Sequence, residues 1–407
     1  MRTLKRILPT AMSESDRQQR LAVLKAGAQF RRIAILLIIA AILSGLLLPA
    51  CGSASQPNQE PIKLGWIGAL SGTNAILGQW DTHGIELVID EVNALGGVCG
   101  GRQLQLVKYD DAADPTKSVA LAQKLSIQDQ VLMAFATTNS NTALADLPVF
   151  AKAQVPQMTQ ASSADLTAKG SGYIFRYTSV GAVFESTVVD YLVKNGLNKF
   201  AIISDSSTYG KGQGDYEQAA IHKNGLASLI RETYNIDDTD FTQQLNRIIS
   251  TNPQVLLIAG SEIAAGLIAQ QARQLGFTGQ IAGGPALGTP KFIEMAGGAA
   301  EGVIFSSPYI DNTINEQARD FARRYQAKWG YAPEQHGAKG YDGAMIAIEA
   351  IKRSCHNLTR EELTRQLHAT TDFQGLQGQF AYQDNGEGIS EAQIGIVKNG
   401  QLTVIPN

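Results

Sequence analysis

Two adjacent carboxylates, Asp110 and Asp111, form the most reactive-looking constellation in this chain. Hard oxygen ligands at the end of a β-like run could hold a divalent cation. The same residues, followed by Asp114-Pro115, also suit the start of a helix, where carboxylates accept from free backbone N–H groups. The second use needs no partner and is the expected one. The five histidines, His83, His222, His336, His356 and His368, are scattered, and none shares a Cys/His cluster with metal-ligand spacing. His83 has Asp81 and Glu86 nearby, which reads as a solvated helix face. No Gly-x-Ser-x-Gly elbow and no His-Glu-x-x-His pair occurs. No enzyme, metal or cofactor is expected from these residue types.

Cysteine chemistry points elsewhere. Arg31-Arg32 precede eighteen largely apolar residues, 33–50, that end in Leu48-Pro49-Ala50-Cys51. A polar stretch with two prolines, residues 52–61, follows. Basic, apolar, small, Cys, then polar is the order of a bacterial lipoprotein export signal. The expectation is an export signal over 1–50, a lipidated Cys51, and a flexible tether over 51–61. The alternative is a short transmembrane anchor. Either way the rest of the chain works outside the cytoplasm, held at a cell membrane and facing the periplasm or the exterior. Cys99 and Cys355 could pair in such a compartment. Their spacing alone does not pair them, and the expectation is buried thiols or a state that the sequence leaves open.

These residues must be positioned by alternating elements. Strand-like apolar runs occur at 63–70, 104–109, 131–136, 200–204, 229–234, 255–260 and 303–307. Helical spacing marks 77–95, a segment from Asp114-Pro115, 209–225, 263–275, 314–329, 338–354 and 359–369. Strands alternating with helices predict parallel sheets covered on both faces. Two such series in about 350 residues after Cys51 predict two α/β lobes. A net charge of −3 with no dense basic patch speaks against nucleic acid as a partner.

Short motifs in a fixed order extend this reading. They include Gly68-Ala69-Leu70-Ser71-Gly72, Asp90-Glu91-Val92-Asn93-Ala94-Leu95-Gly96-Gly97 and Tyr109-Asp110-Asp111. Further along stand Val155-Pro156, Phe175-Arg176, Tyr209-Gly210-Lys211-Gly212, Gln271-Ala272-Arg273-Gln274-Leu275-Gly276, Ala300-Glu301-Gly302 and Tyr341-Asp342. Over residues 62–403 their order resembles the type I periplasmic substrate-binding proteins of ABC transporters for branched-chain amino acids, amides and urea. The resemblance implies two Rossmann-like lobes joined by a three-crossing hinge. The first lobe would hold 62–178 and 309–391, and the second 179–308 and 392–407. It implies a small polar solute caught between the lobes, ABC permease subunits as partners, and a monomer. A receptor of the same fold that reports to a membrane signalling partner is the alternative.

The resemblance also implies a site. A serine and a threonine of the first lobe hold the ligand carboxylate in amino-acid-binding relatives. Ser140, or its neighbour Asn139, matches the serine, and Ser162 or Ser163 matches the threonine. Tyr209 matches an aromatic of the second lobe, and Ser261 stands where relatives have another, with Glu262 next. Leu77 aligns with an aromatic pocket wall, and Trp80 lies three residues on. The acid that binds the ligand ammonium aligns with Pro285, and Ala113 replaces one cysteine of the relatives' pair. Glu262 is the candidate substitute for the missing acid.

Overall fold

A computed structural model describes residues 60–136, 138–168, 171–310 and 316–406. The export signal, Cys51 and the tether through residue 59 lie outside the described residues. No described helix is long and apolar enough to cross a membrane.

The first series runs β1 (Ile62–Gly68), α1 (Ala75–Ala94), β2 (Leu104–Asp110), α2 (Pro115–Gln123), β3 (Met133–Ala136), α3 (Ser140–Lys152), β4 (Gln157–Thr159), α4 (Asp165–Ala168) and β5 (Ile174–Arg176). Its five strands are all parallel, in the order β2-β1-β3-β4-β5. β1 is buried at six of its seven residues, as a strand covered on both faces must be. Alternate residues separate two cores. Leu64, Trp66, Met133 and Phe135 pack with α1, while Ile67, Ala134 and Ala136 pack with Phe150 of α3.

The second series repeats the plan: α5 (Gly181–Lys194), β6 (Phe200–Asp205), α6 (Thr208–Lys223), β7 (Ile230–Tyr234), α7 (Thr242–Ser250), β8 (Val255–Ala259), α8 (Glu262–Gln274), β9 (Gln280–Gly283), α9 (Pro290–Ala296) and β10 (Ile304–Ser307). Its parallel strands stand in the order β7-β6-β8-β9-β10. The chain then forms α10 (Glu316–Trp329), α11 (Gln335–Ser354) and α12 (Arg360–His368). α11 packs along α1, on the Trp66 face of the first sheet. An antiparallel trio follows, β11 (Phe373–Gly375), β12 (Gly378–Tyr382) and β13 (Gly388–Ile389). Finally β14 (Gln393–Lys398) and β15 (Gln401–Val404) extend the second sheet beyond β10 as antiparallel strands.

The chain passes between lobes after β5, β10 and β13. The first and last passages are stitched together: Ser179 Oγ donates to the Ser390 carbonyl at 2.8 Å, and Ser390 N–H donates back to Ser179 Oγ at 2.7 Å.

Three expectations change. Cys99 and Cys355 form a disulfide, and Cys355 is exposed, so they are not buried thiols. Cys99 lies in a tight turn after α1 and Cys355 caps the end of α11. Because these helices run side by side, residues separated by 256 positions meet. Second, α11 begins at Gln335, not at 338, because Glu334 caps it by accepting from the His336 and Gly337 N–H groups. Third, the second sheet is mixed, its two antiparallel strands being additions to a parallel core.

Asp110 spends its carboxylate on loop closure. It accepts from Leu70 N–H, Ser71 Oγ and Ala112 N–H, which ties the loop after β1 to the loop after β2. Asp111 accepts from Ala113 N–H, and Asp114 caps α2 through Thr116 and Lys117 N–H. No group of three or more His, Cys, Asp or Glu among the described residues is placed to hold a metal.

Candidate ligand site between the lobes

In a sheet of order 2-1-3, the helices after strands 1 and 3 leave on opposite faces. The gap between them is a ready-made crevice at the carboxyl ends of the strands. Both sheets have such a switch point, between β1 and β3 in one and between β6 and β8 in the other. The two crevices face one cavity of about 200 Å³. Thr73, Asn74 and Leu77 line it from the first switch point with Thr138, Asn139, Ser140 and Asn141. Ser207, Tyr209, Ser261 and Glu262 line it from the second.

Ser140 opens α3, and its buried Oγ has no hydrogen-bond partner among the described residues. The first N–H groups of a helix have no partner within it and carry a partial positive charge. An anionic or acceptor group of a ligand is matched there. Four more buried side-chain oxygens of the wall lack a donor or acceptor among the described residues: Gln160 Oε1, Thr178 Oγ1, Gln213 Oε1 and Gln335 Oε1. Such atoms are costly unless something fills the cavity and bonds to them.

The second lobe supplies a donor and carboxylates. Burial, with Glu262, Glu185, Asp205 and Glu217 nearby, pushes the Tyr209 hydroxyl well above its ordinary range. It stays protonated and can donate. Asp205 is held by the loop it organises, accepting from Ser207 N–H at 2.8 Å and Ser207 Oγ at 2.5 Å. Gly210 is required beside it, because a Cβ there would lie 2.2 Å from Asp205 Oδ1. Glu262, the first residue of α8, is 7% exposed, and burial raises its carboxyl above the ordinary range, against the pull of His336. Behind the wall, Glu185 and Glu217 form a buried carboxyl pair, and Glu185 presses on Gly284: a Cβ there would meet Glu185 Oε1 at 1.9 Å.

α11 brings a third wall. His336 shares its Nδ1 with Glu334 Oε2 at 2.9 Å and stacks on Trp80 with ring centroids 6.0 Å apart. Lys339 lies one turn on and is 6% exposed. Burial lowers its ammonium to about 8, while Glu334, Asp81 and Glu262 oppose that shift. Asp81 accepts from Trp66 Nε1, Gln160 Nε2 and the Tyr177 hydroxyl at 2.8, 2.7 and 3.0 Å. Burial raises it to about 6 in spite of those bonds.

The lobes touch around the cavity. Gln213 Nε2 donates to Ser162 Oγ at 2.8 Å, Thr208 N–H to Asn141 Oδ1 at 3.1 Å, and Gln335 Nε2 to the Pro285 carbonyl at 2.7 Å.

Of the residues expected from sequence, Asn139, Ser140, Ser162, Tyr209, Ser261, Glu262 and Leu77 line this cavity. Ser163 and Trp80 do not. The Ser163 carbonyl accepts from Arg176, and Trp80 is buried behind His336. Pro285 also lines the cavity, as the second-lobe partner of Gln335. Sequence reading missed Gln160, Asp205, Gln213, Gln335, His336 and Lys339. For the last three a signal existed: Pro333-Glu334 marks a helix start that places them together on the first turns.

A profile of the periplasmic binding protein family matches residues 61–401. The chain belongs to this family. Among curated periplasmic binding proteins, Leu/Ile/Val-binding protein homolog 3 of Brucella melitensis is 25% identical over 85% of this chain and 94% of its own length. A leucine binding protein from Thermotoga maritima superposes with a TM-score of 0.79 at 28% identity, over 85% of this chain and 98% of its own. A branched-chain amino acid transporter substrate binding protein from Streptococcus pneumoniae, solved with isoleucine, superposes with a TM-score of 0.78 at 25% identity, over 85% and 99%. This binding protein therefore has a solute-binding role of the ABC-transporter kind and is not an enzyme.

Proposed function

We propose that this chain is an extracytoplasmic lipoprotein that captures a small polar solute between its lobes and delivers it to the permease of an ABC importer. The solute is an amino acid, an amide or a urea-like compound. One observation carries the reading: two sheets of the same strand order present their switch points to one cavity lined by unsatisfied polar oxygens. Ser140 and the start of α3 hold the acidic or acceptor end of the solute, and Tyr209 and Glu262 hold the donor end. Cys51 tethers the monomer to the membrane close to its permease.

The test is calorimetric titration of the full chain in detergent with branched-chain amino acids, short amides, urea and aromatic acids. At least one polar solute is expected to bind at micromolar or better affinity. Ser140→Ala and Tyr209→Phe should each weaken it by roughly 10-fold, the scale of one lost hydrogen bond to a charged group. Unchanged affinity in both variants discards this site. Binding of amides or aromatic acids alone discards the amino-acid reading.

A further inference from the structure

Lys339 is the least explained group in the cavity wall. Its side chain is more than nine-tenths buried, it lines the cavity, and among the described residues it has neither a hydrogen bond nor an ion pair. Buried ammonium groups are rare unless paired. The acids nearest to it do not occupy its donors. Asp81 is spent on Trp66, Gln160 and Tyr177. Glu334 is spent on the His336 and Gly337 N–H groups and on the His336 ring. Glu262 belongs to the opposite lobe, and no ion pair joins it to Lys339 among the described residues. These carboxylates favour the charged form of Lys339 from a distance while its three donors remain open to the cavity.

The position of this cation matters as much as its charge. α3 packs with α2 on one face of the first sheet, and α11 packs with α1 on the other. Ser140 and Lys339 thus reach the cavity from opposite faces. A single carboxylate placed at the start of α3 leaves Lys339 unserved. An aliphatic side chain placed against Lys339 would strip its remaining water and return nothing.

We infer that Lys339 binds a second carboxylate of the solute, so that the cavity is built for an acidic amino acid or a related dicarboxylate. This rests on the solute-binding reading above and narrows it. One carboxylate lies at the start of α3, and the other meets the Lys339 ammonium, with Gln335 and His336 beside it. If an α-amino group is present, Glu262 and Tyr209 face it.

The experiment is calorimetry on the full chain in detergent at pH 7, with L-glutamate, L-aspartate, glutarate, succinate, L-glutamine and L-leucine. An acidic ligand is expected to bind roughly 100-fold more tightly than its neutral isostere, the usual scale of a desolvated charge pair. The amino acids and plain dicarboxylates separate the two sources of the second carboxylate. Lys339→Met is expected to erase the acidic preference, lowering L-glutamate affinity by roughly 100-fold, to the level of its neutral isostere. Lys339→Gln, which keeps a donor, is the second variant, and thermal melting checks that both are folded. Leucine or glutamine binding as tightly as every acid overturns the inference, as does an acidic preference that survives in both variants. Those results leave solute binding itself intact. No binding by any of the six overturns the inference and removes the amino-acid reading with it.

Discussion

Gln213 on α6 and Ser162 after β4 join the two lobes directly, Nε2 to Oγ at 2.8 Å. Both residues line the cavity. A ligand gains affinity from every contact that exists only when the lobes are together.

Gln213→Ala and Ser162→Ala should therefore each weaken solute binding by about 0.5–1.5 kcal/mol. The double variant should be little worse than either single one, because the two side chains serve one bond. Calorimetry on the four proteins checks this. Full additivity would mean that each residue acts on the ligand separately.

The Glu185–Glu217 pair makes stability depend on pH. Burial raises Glu185 to about 8 and pushes Glu217 well above the carboxylate range, the charge of Glu185 adding to the second shift. The folded state therefore holds protons that the unfolded chain releases near pH 4.5. Their stabilising effect is complete below that pH and is lost as pH rises toward 8. The slope reaches up to about 1.4 kcal/mol per pH unit for each group. Urea midpoints at pH 5 and pH 8 should fall in that order, and Glu185→Gln should flatten the trend. A midpoint that rises with pH in the wild type, with no change in the variant, would refute this account.

The Cys99–Cys355 bond closes a loop between residues 256 positions apart. Its loss should cost about 2–5 kcal/mol of stability. Affinity should change little, because the cavity end of α11 is held separately by Glu334 and Gln335. Urea unfolding with and without reductant, beside the double serine variant, is the measurement. Equal midpoints would show that the bridge adds nothing.

How much of this was readable in the residues depends on length and locality. Central strands such as β6, apolar at its first four residues, and β8, apolar at all five, announce themselves. β4 and β5 have three residues each, two of them polar in β4 and one charged in β5, and show no period. The hairpin of β14 and β15 did carry a local mark. Asn399 and Gly400 both take positive φ, as a two-residue hairpin turn demands. The cavity residues that follow strand ends were accessible through neighbouring motifs. Lys339 carried only the mark of the Pro333-Glu334 helix start, and nothing local ties it to the cavity, because it is brought to the first lobe by a helix more than two hundred residues from β1. The glycines of Gly337, Gly340 and Gly343 also thin the apolar stripe at the start of α11. They allow α1 and the Tyr325 and Tyr177 rings to come close.

The shared strand order of the two sheets has a consequence for how such a molecule can change. Each half brings its own pair of strand-end loops to the cavity, and its own sheet fixes where those loops begin. Substitutions in one half can retune one end of the bound molecule while the opposite grip is inherited unaltered. α11 is the exception to that bilateral plan. It lines the cavity and has no counterpart in the second half, so a substitution there would change which solute the cavity accepts without altering either pair of strand-end loops.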